Sequence, residues 1–210
     1  MSKDWNGNKA STFKCLGASN HTDHEREERD YYATDPLASY LLLNVEPDLN
    51  NIWEPAVGER HLSQVFASKG KIGRESDIVN RLDGTTIEEL DFLSVPDNYV
   101  WDGDIVTNPP YKYAEEFVRK SLNIVPDGRK VCMFLKLTFC EGKSRKKLFE
   151  EFPPKTIYVS SSRITCAMNG QFYTKDEKTG KLTKQSSAVC YAWFVWEKGY
   201  KGSTILKWIN

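Results

Sequence analysis

Apolar and polar positions change their spacing several times along this chain, and each change marks a candidate element. Residues 1–30 show no apolar period. Asn20-His21-Thr22-Asp23-His24-Glu25-Arg26-Glu27-Glu28-Arg29-Asp30 is almost wholly charged or polar. That pattern predicts a polar leader unable to fold alone. From Asp35 the pattern becomes helical: Pro36-Leu37-Ala38-Ser39-Tyr40-Leu41-Leu42-Leu43 predicts a helix with Asp35 as N-cap and Pro36 at its first position. Asn51-Ile52-Trp53-Glu54 predicts a short buried strand, Gly58 a tight turn, and apolar positions 62, 65 and 66 a helix within residues 60–68. Further strands are predicted over 71–76, 104–107, 130–137, 156–160, 188–196 and 204–209. Asp91-Phe92-Leu93 is a candidate edge strand. Residues 113–125 place Ala114, Phe117, Val118, Leu122 and Val125 on one side of a helix. Residues 142–152 predict another, stopped by Pro153-Pro154. The polar stretch 169–187 predicts a surface loop or hairpin.

Strands alternating with helices imply an α/β domain with a mainly parallel sheet. In such sheets ligands bind beyond the carboxyl ends of the strands, near the point where strand order reverses. The turns after Trp53, Ser76 and Thr107 all fall on that edge. The length fits one domain, residues 31–210, behind the leader 1–30. No apolar run is long enough to span a bilayer, and the first residues lack a signal-peptide core. A cytoplasmic protein without membrane contact is expected, as a monomer or weak dimer. The five cysteines, at 15, 132, 140, 166 and 190, form no Cys-x-x-Cys pair and read as reduced thiols. His21, Asp23 and His24 lack a further ligand cluster, so no metal site is expected. With 29 basic and 29 acidic residues the net charge is zero, which argues mildly against a dedicated nucleic-acid binder but permits a local patch. Lys143, Arg145, Lys146 and Lys147 are such a patch, or a solvated helix face.

Four segments bear candidate chemistry. Glu54-Pro55-Ala56-Val57-Gly58-Glu59-Arg60 is a strand end, an acid and a glycine turn leading into a helix, where glycine lets the backbone approach a ligand. Asp77 follows Glu54 by 23 residues (77 − 54), the spacing at which a nucleotide-binding sheet places its ribose ligand; it also suits a turn or cap. Asp91-Phe92 is either a ligand contact or an edge with Phe92 in the core. Asn108-Pro109-Pro110-Tyr111 directly follows the apolar stretch Ile105-Val106-Thr107. Its prolines stiffen the loop, and an amide and an aromatic ring at a strand exit suit the gripping of an amino group on a flat ring.

In this order the segments resemble the motifs of S-adenosylmethionine-dependent DNA N6-adenine methyltransferases, in a phage and prophage branch with Asn-Pro-Pro-Tyr. The resemblance includes Tyr31-Tyr32-Ala33-Thr34-Asp35-Pro36, the blocks around Phe134–Arg145 and Ala192–Gly199, and nearly the whole chain from about residue 17. It departs at Arg60, where a small residue is usual, and at Asp35, inserted between Thr34 and Pro36. It implies a Rossmann-like class I methyltransferase sheet of seven strands, mainly parallel, with one antiparallel near the edge. It implies S-adenosylmethionine as cofactor, held by Tyr32, Thr34, Asp35, Glu54, Pro55, Ala56, Gly58, Asp77, Asp91, Phe92 and Asn108. Asn108 and the Pro109 carbonyl would accept the amine hydrogens, and Tyr111 would stack on a base extruded from DNA. Lys143, Arg145, Lys146, Lys147, Arg163 and the 169–187 insert are the expected DNA contacts, with DNA preferred to RNA. An RNA base methyltransferase and a degenerate cofactor- or DNA-binding relative are the alternatives. A glutamine side-chain methyltransferase needs an N-terminal helical domain for which the leader leaves no room.

Overall fold

A strand whose side chains are apolar in both directions must be covered on both faces, and two stretches near the chain's middle and end have this character. The computed structural model describes residues 33–82, 84, 85, 87–167, 172–176, 179–184 and 189–210. The leader with His21, Asp23 and His24, the Tyr31-Tyr32 pair and parts of the 169–187 insert lie outside the described residues. In chain order the elements are β1 (Ala33–Thr34), α1 (Leu37–Val45), β2 (Ile52–Glu54), α2 (Ser63–Ser68), β3 (Ile72–Asp77), β4 (Glu88–Glu89), β5 (Ile105–Thr107), α3 (Ala114–Ile124), β6 (Lys130–Lys136), α4 (Lys143–Glu151), β7 (Thr156–Ser160), β8 (Cys166–Ala167), β9 (Tyr173–Lys175), β10 (Leu182–Lys184), β11 (Tyr191–Glu197) and β12 (Ile205–Ile209).

One eight-stranded sheet runs in the order β12-β7-β11-β6-β5-β2-β3-β4. Its strands are parallel except β11, which is antiparallel to both β6 and β7. Strand order reverses between β2 and β5. The expected count of seven is exceeded by one because β12 pairs in parallel with the outer side of β7. Ile205 N donating to Lys155 O at 3.1 Å and Ser161 N donating to Ile209 O at 3.1 Å fix that register. The expected edge strand at 91–93 is also corrected. The edge is β4, and Phe92–Ser94 is a short 3-10 helix capped by Asp91, whose side chain accepts from Leu93 N. Within the 169–187 insert, β9 and β10 pair as an antiparallel hairpin.

Alternation along the strands divides the core in two. Val131, Met133 and Leu135 of β6 and Phe194 and Trp196 of β11 pack with Phe117, Val118 and Leu122 of α3 and Leu148 of α4. The intervening Cys132, Phe134, Trp193 and Val195 pack with Ala38, Leu41 and Leu42 of α1 and Phe66 of α2. The result is helix, sheet and helix in three layers. At the amino ends of the strands Asp104 is buried, accepting from Asn50 N at 2.8 Å and Lys130 N at 2.8 Å, and so ties β2, β5 and β6 together. Among the described residues no helix is long and apolar enough to cross a membrane.

Candidate active site

The carboxyl ends of β2, β3, β5 and β6 open onto a cleft of about 1070 Å³, as expected at a strand-order reversal. Of the residues singled out from the sequence, Thr34, Glu54, Pro55, Ala56, Asp77, Asp91, Phe92, Asn108, Pro109, Pro110 and Tyr111 line it. Asp35 and Gly58 stand behind its wall. Asp35 accepts from Leu37 N at 2.9 Å and starts α1, and Gly58 is held from within the turn. Tyr32 lies outside the described residues.

The turn after β2 is built around Asp77. Gly58 has φ 54°, a left-handed backbone that favours glycine, and its N–H donates to Asp77 Oδ2 at 2.8 Å. Val79 N and Arg81 Nη1 donate to Oδ1 at 3.1 and 3.2 Å. A carboxylate has about four acceptor positions, so Asp77 spends most of its capacity bracing the turn. Arg60, the departure from a small residue, also adopts a positive φ of 66°. Its guanidinium reaches Glu75 through two bonds, at 2.8 and 2.5 Å, and does not line the cleft.

Glu54 is buried at the floor of the cleft, and its Oε2 has no hydrogen-bond partner among the described residues. Burial, then the charges of Glu75 and Asp77, hold its carboxyl well above the usual glutamate range. The folded chain therefore keeps this proton to higher pH than the unfolded chain does. Stability is complete below the ordinary glutamate value and declines as pH rises through the raised one. Glu54→Gln is accordingly expected to match the parent near pH ~4 and to melt several degrees higher by pH ~8, at about 2–4 °C per kcal/mol for a chain of this size. Paired thermal melts across that range check this; a pH-independent difference would contradict it.

The Asn-Pro-Pro-Tyr loop is held at both ends. Asn108 Nδ2 donates to Thr34 Oγ1 at 2.7 Å. Thr34 sits in β1, which pairs with β8 through Ala33↔Ala167 and Thr34↔Cys166, extended by Asp35 N donating to Thr165 O at 3.0 Å. Cys166 Sγ lies 4.0 Å from Thr34 Oγ1 and accepts from Tyr111 Oη at 3.5 Å. Burial pushes the Cys166 thiol up to about 11 and the Tyr111 hydroxyl well above its ordinary value. Tyr111 also stacks near Tyr191, with centroids 6.0 Å apart, and Lys136 Nζ lies 4.7 Å from its ring centre. Tyr111 is thus packed against protein as well as facing the cleft.

Phe92 is both wall and core, edge-on to Trp53 at 5.2 Å and tilted on Phe117 at 5.0 Å. Asp91 beside it is exposed. The basic residues of α4 lie outside the cleft. Arg145 folds back to donate to Glu141 O at 2.7 Å. Lys146 and Lys147, 77% and 78% exposed, pair with Glu150 and Glu151 at 3.5 and 3.7 Å. Lys143 and Arg163 are exposed. Helix α4 begins, and β7 ends, at the same sheet edge as the cleft. The sequence reading did not single out Cys166 or the cleft residues Lys112, Lys136, His61 and Arg81. Lys112 directly follows Tyr111, and Lys136 ends the apolar run Val131–Leu135, so strand-end position was the available signal.

The chain matches no protein-family model and no curated protein. Solved structures do match its fold. A candidate class I S-adenosylmethionine-dependent methyltransferase from Listeria monocytogenes superposes with a TM-score of 0.53 at 13% identity, over 95% of this chain and 71% of its own. A predicted O-methyltransferase from Agrobacterium tumefaciens gives 0.55 at 12% identity, over 83% of this chain and 85% of its own. A chain of a type I restriction-modification system gives 0.50 at 13% identity, over 83% of this chain and 44% of its own. The fold is that of the class I S-adenosylmethionine-dependent methyltransferases, with a mostly parallel central sheet.

Proposed function

We propose that the chain transfers a methyl group from S-adenosylmethionine to N6 of adenine in DNA. The observation behind this reading is the Asn108-Pro109-Pro110-Tyr111 loop at the carboxyl end of β5, sharing one cleft with Glu54 and Asp77. The cleft also fits the cofactor. The unpartnered Glu54 oxygen and the Asp77 and Asp91 carboxylates suit a ligand with a cationic amino-acid end and ribose hydroxyls. When bound, the cofactor would supply a sulfonium methyl: a nitrogen–carbon bond forms as the carbon–sulfur bond breaks, sulfur takes the electron pair, and the methylated amine then gives one proton to water.

The chain's own part is positioning. With Asn108 Nδ2 committed to Thr34, the amide is fixed in one orientation and its carbonyl branch is the acceptor offered to an amine hydrogen. The rigid Pro109-Pro110 pair prevents the loop from yielding when that hydrogen bond forms. An amide accepts hydrogen bonds but has no useful basicity, which suits an amine that needs orientation. A hydroxyl acceptor would need a base to remove its proton. This favours nitrogen over the oxygen chemistry of the Agrobacterium neighbour. The restriction-modification neighbour and the basic face of α4 with Arg163 favour DNA as the bearer of that amine.

Transfer of tritiated methyl from the cofactor to unmethylated DNA, with RNA and free adenosine in parallel, tests the assignment. Label on N6 of adenine in DNA is the expected product, and label confined to RNA would overturn it. Thr34→Val, nearly isosteric but without the acceptor, is expected to lower kcat about tenfold with cofactor Kd within about twofold, and Thr34→Ser to recover most of it. A rise in cofactor Kd matching the loss of kcat would instead make Thr34 a cofactor ligand.

A further inference from the structure

Charge is segregated along the cleft in the order of the strands. The ends of β2 and β3 and the turn after β4 contribute Glu54, Asp77 and Asp91. Across the reversal point, the β5 loop and the end of β6 contribute Lys112 and Lys136. Arg81, at the acidic end, is matched to Asp77 at 3.2 Å, and burial lowers the basicity of His61. Neither the Lys112 nor the Lys136 ammonium has an ion pair or hydrogen bond among the described residues. Each ammonium instead lies against a tyrosine ring: Lys136 Nζ 4.7 Å from the centre of Tyr111, Lys112 Nζ 5.1 Å from that of Tyr113. An aromatic face keeps an ammonium charged without neutralising it. Several other cations are matched, Arg60 to Glu75, Arg119 to Glu115 and Glu151, Lys130 to Glu46 and Asp48. A chain of zero net charge thus leaves two unmatched cations beside its Asn-Pro-Pro-Tyr loop.

We propose that Lys112 and Lys136 form a phosphate subsite that grips the phosphodiester backbone next to the target nucleotide, so that the substrate is a nucleic-acid strand and not a free base, a nucleoside or a protein amide. This rests on the reading of the same cleft as an amine methyltransferase. It adds what that reading leaves open: how a cleft in a neutral protein recognises its polymer. The backbone lies at the basic end, the amine reaches Asn108, and the acidic end is left to the cationic donor. Because phosphate contacts release counterions, binding at this subsite weakens steeply with salt.

The test is binding of a short fluorescein-labelled single-stranded oligodeoxynucleotide to the full chain, by anisotropy at several salt concentrations. Methyl transfer to the unlabelled strand is measured in parallel. Lys112→Gln with Lys136→Gln is expected to weaken binding at low salt by about tenfold or more and to flatten the log-affinity against log-salt slope by about 0.7 per lysine. Lys112→Arg with Lys136→Arg should retain affinity and slope, and both pairs should hold the cofactor as the parent does. An oligonucleotide lacking adenine should show the same dependence on the lysines. Unchanged affinity and slope in the glutamine pair would overturn the subsite, as would no salt-dependent binding by the parent. A loss of cofactor affinity that arginine restores would assign the lysines to the donor and overturn it too. Lysine-dependent binding without methyl transfer supports the subsite and removes the adenine assignment. Transfer with no lysine dependence does the reverse.

Discussion

Asn108→Ala is expected to lower the methyl-transfer rate by about 10²–10³-fold or more, the usual cost of removing one preorganised hydrogen-bonding group from a reacting centre. Cofactor affinity should stay within about threefold, because the alanine leaves the Glu54 and Asp77 end of the cleft untouched. The two effects separate because Asn108 leaves β5 on the far side of the strand-order reversal from those acids. The chain should also remain folded. Asn108 is a loop residue whose side-chain Nδ2 donates to Thr34, and losing one such bond costs about 1 kcal/mol. Single-turnover transfer to DNA, together with calorimetric titration of the cofactor, checks both halves. Turnover close to the parent's would remove the amide from the mechanism. A parallel collapse of cofactor binding would make Asn108 a cofactor ligand.

Trp53→Ala should have the largest effect on stability. Trp53 is wholly buried in the central strand β2, with Phe92 at 5.2 Å, Trp101 at 5.5 Å and Tyr99 at 6.0 Å around it. The Arg74 guanidinium carbon lies 4.1 Å from its ring centre, and its indole Nε1 donates to Ser76 Oγ at 2.9 Å. Truncating a buried aromatic of this kind costs about 3–5 kcal/mol. Here the change also strips a buried hydroxyl of its donor. At about 2–4 °C per kcal/mol, Tm should fall on the order of 10 °C. The adjoining Glu54 and the nearby Phe92 both line the cleft, so cofactor affinity should fall with Tm. Thermal melts and cofactor titration measure the two together. A Tm within about 2 °C of the parent would show that this aromatic cluster does not hold β2 in place.

The elements that could be read from the chain are those whose signal is local. The apolar run ending at Lys136 is β6, paired on both sides inside the sheet. Pro153-Pro154 lies just beyond the end of α4, and the Asn-Pro-Pro-Tyr loop leaves β5 at the carboxyl edge of the sheet. What escaped was set by distant partners or by residues serving two purposes. Glu88 and Glu89 form an edge strand with both side chains exposed, so no apolar alternation reveals it. Asp91-Phe92-Leu93 has strand-like composition, but the aspartate accepts from Leu93 N two residues on and turns the backbone. Arg60 reads as a fault in a glycine turn until Glu75 on the neighbouring strand is seen to hold it. The strand at 204–209 was legible but its place in the sheet was not: Ile205, Leu206 and Trp208 are exposed, and backbone pairing sets it beside β7. Lys112 and Lys136 lie 24 residues apart (136 − 112) and line one cleft because β5 and β6 are neighbours.

The ladder of β1 with β8 joins residues 132 positions apart, and it is what steadies the amide of Asn108. During synthesis from the amino terminus, Asn108 therefore emerges well before Cys166, the outer member of its support. Such long-range closure is a slow class of folding event. The central strands can dock around a buried core while the loop still waits for its brace. Under the proposed function, competence for chemistry is then a late property of the nascent chain, gained only after β7 has been made and β8 has returned to pair with β1.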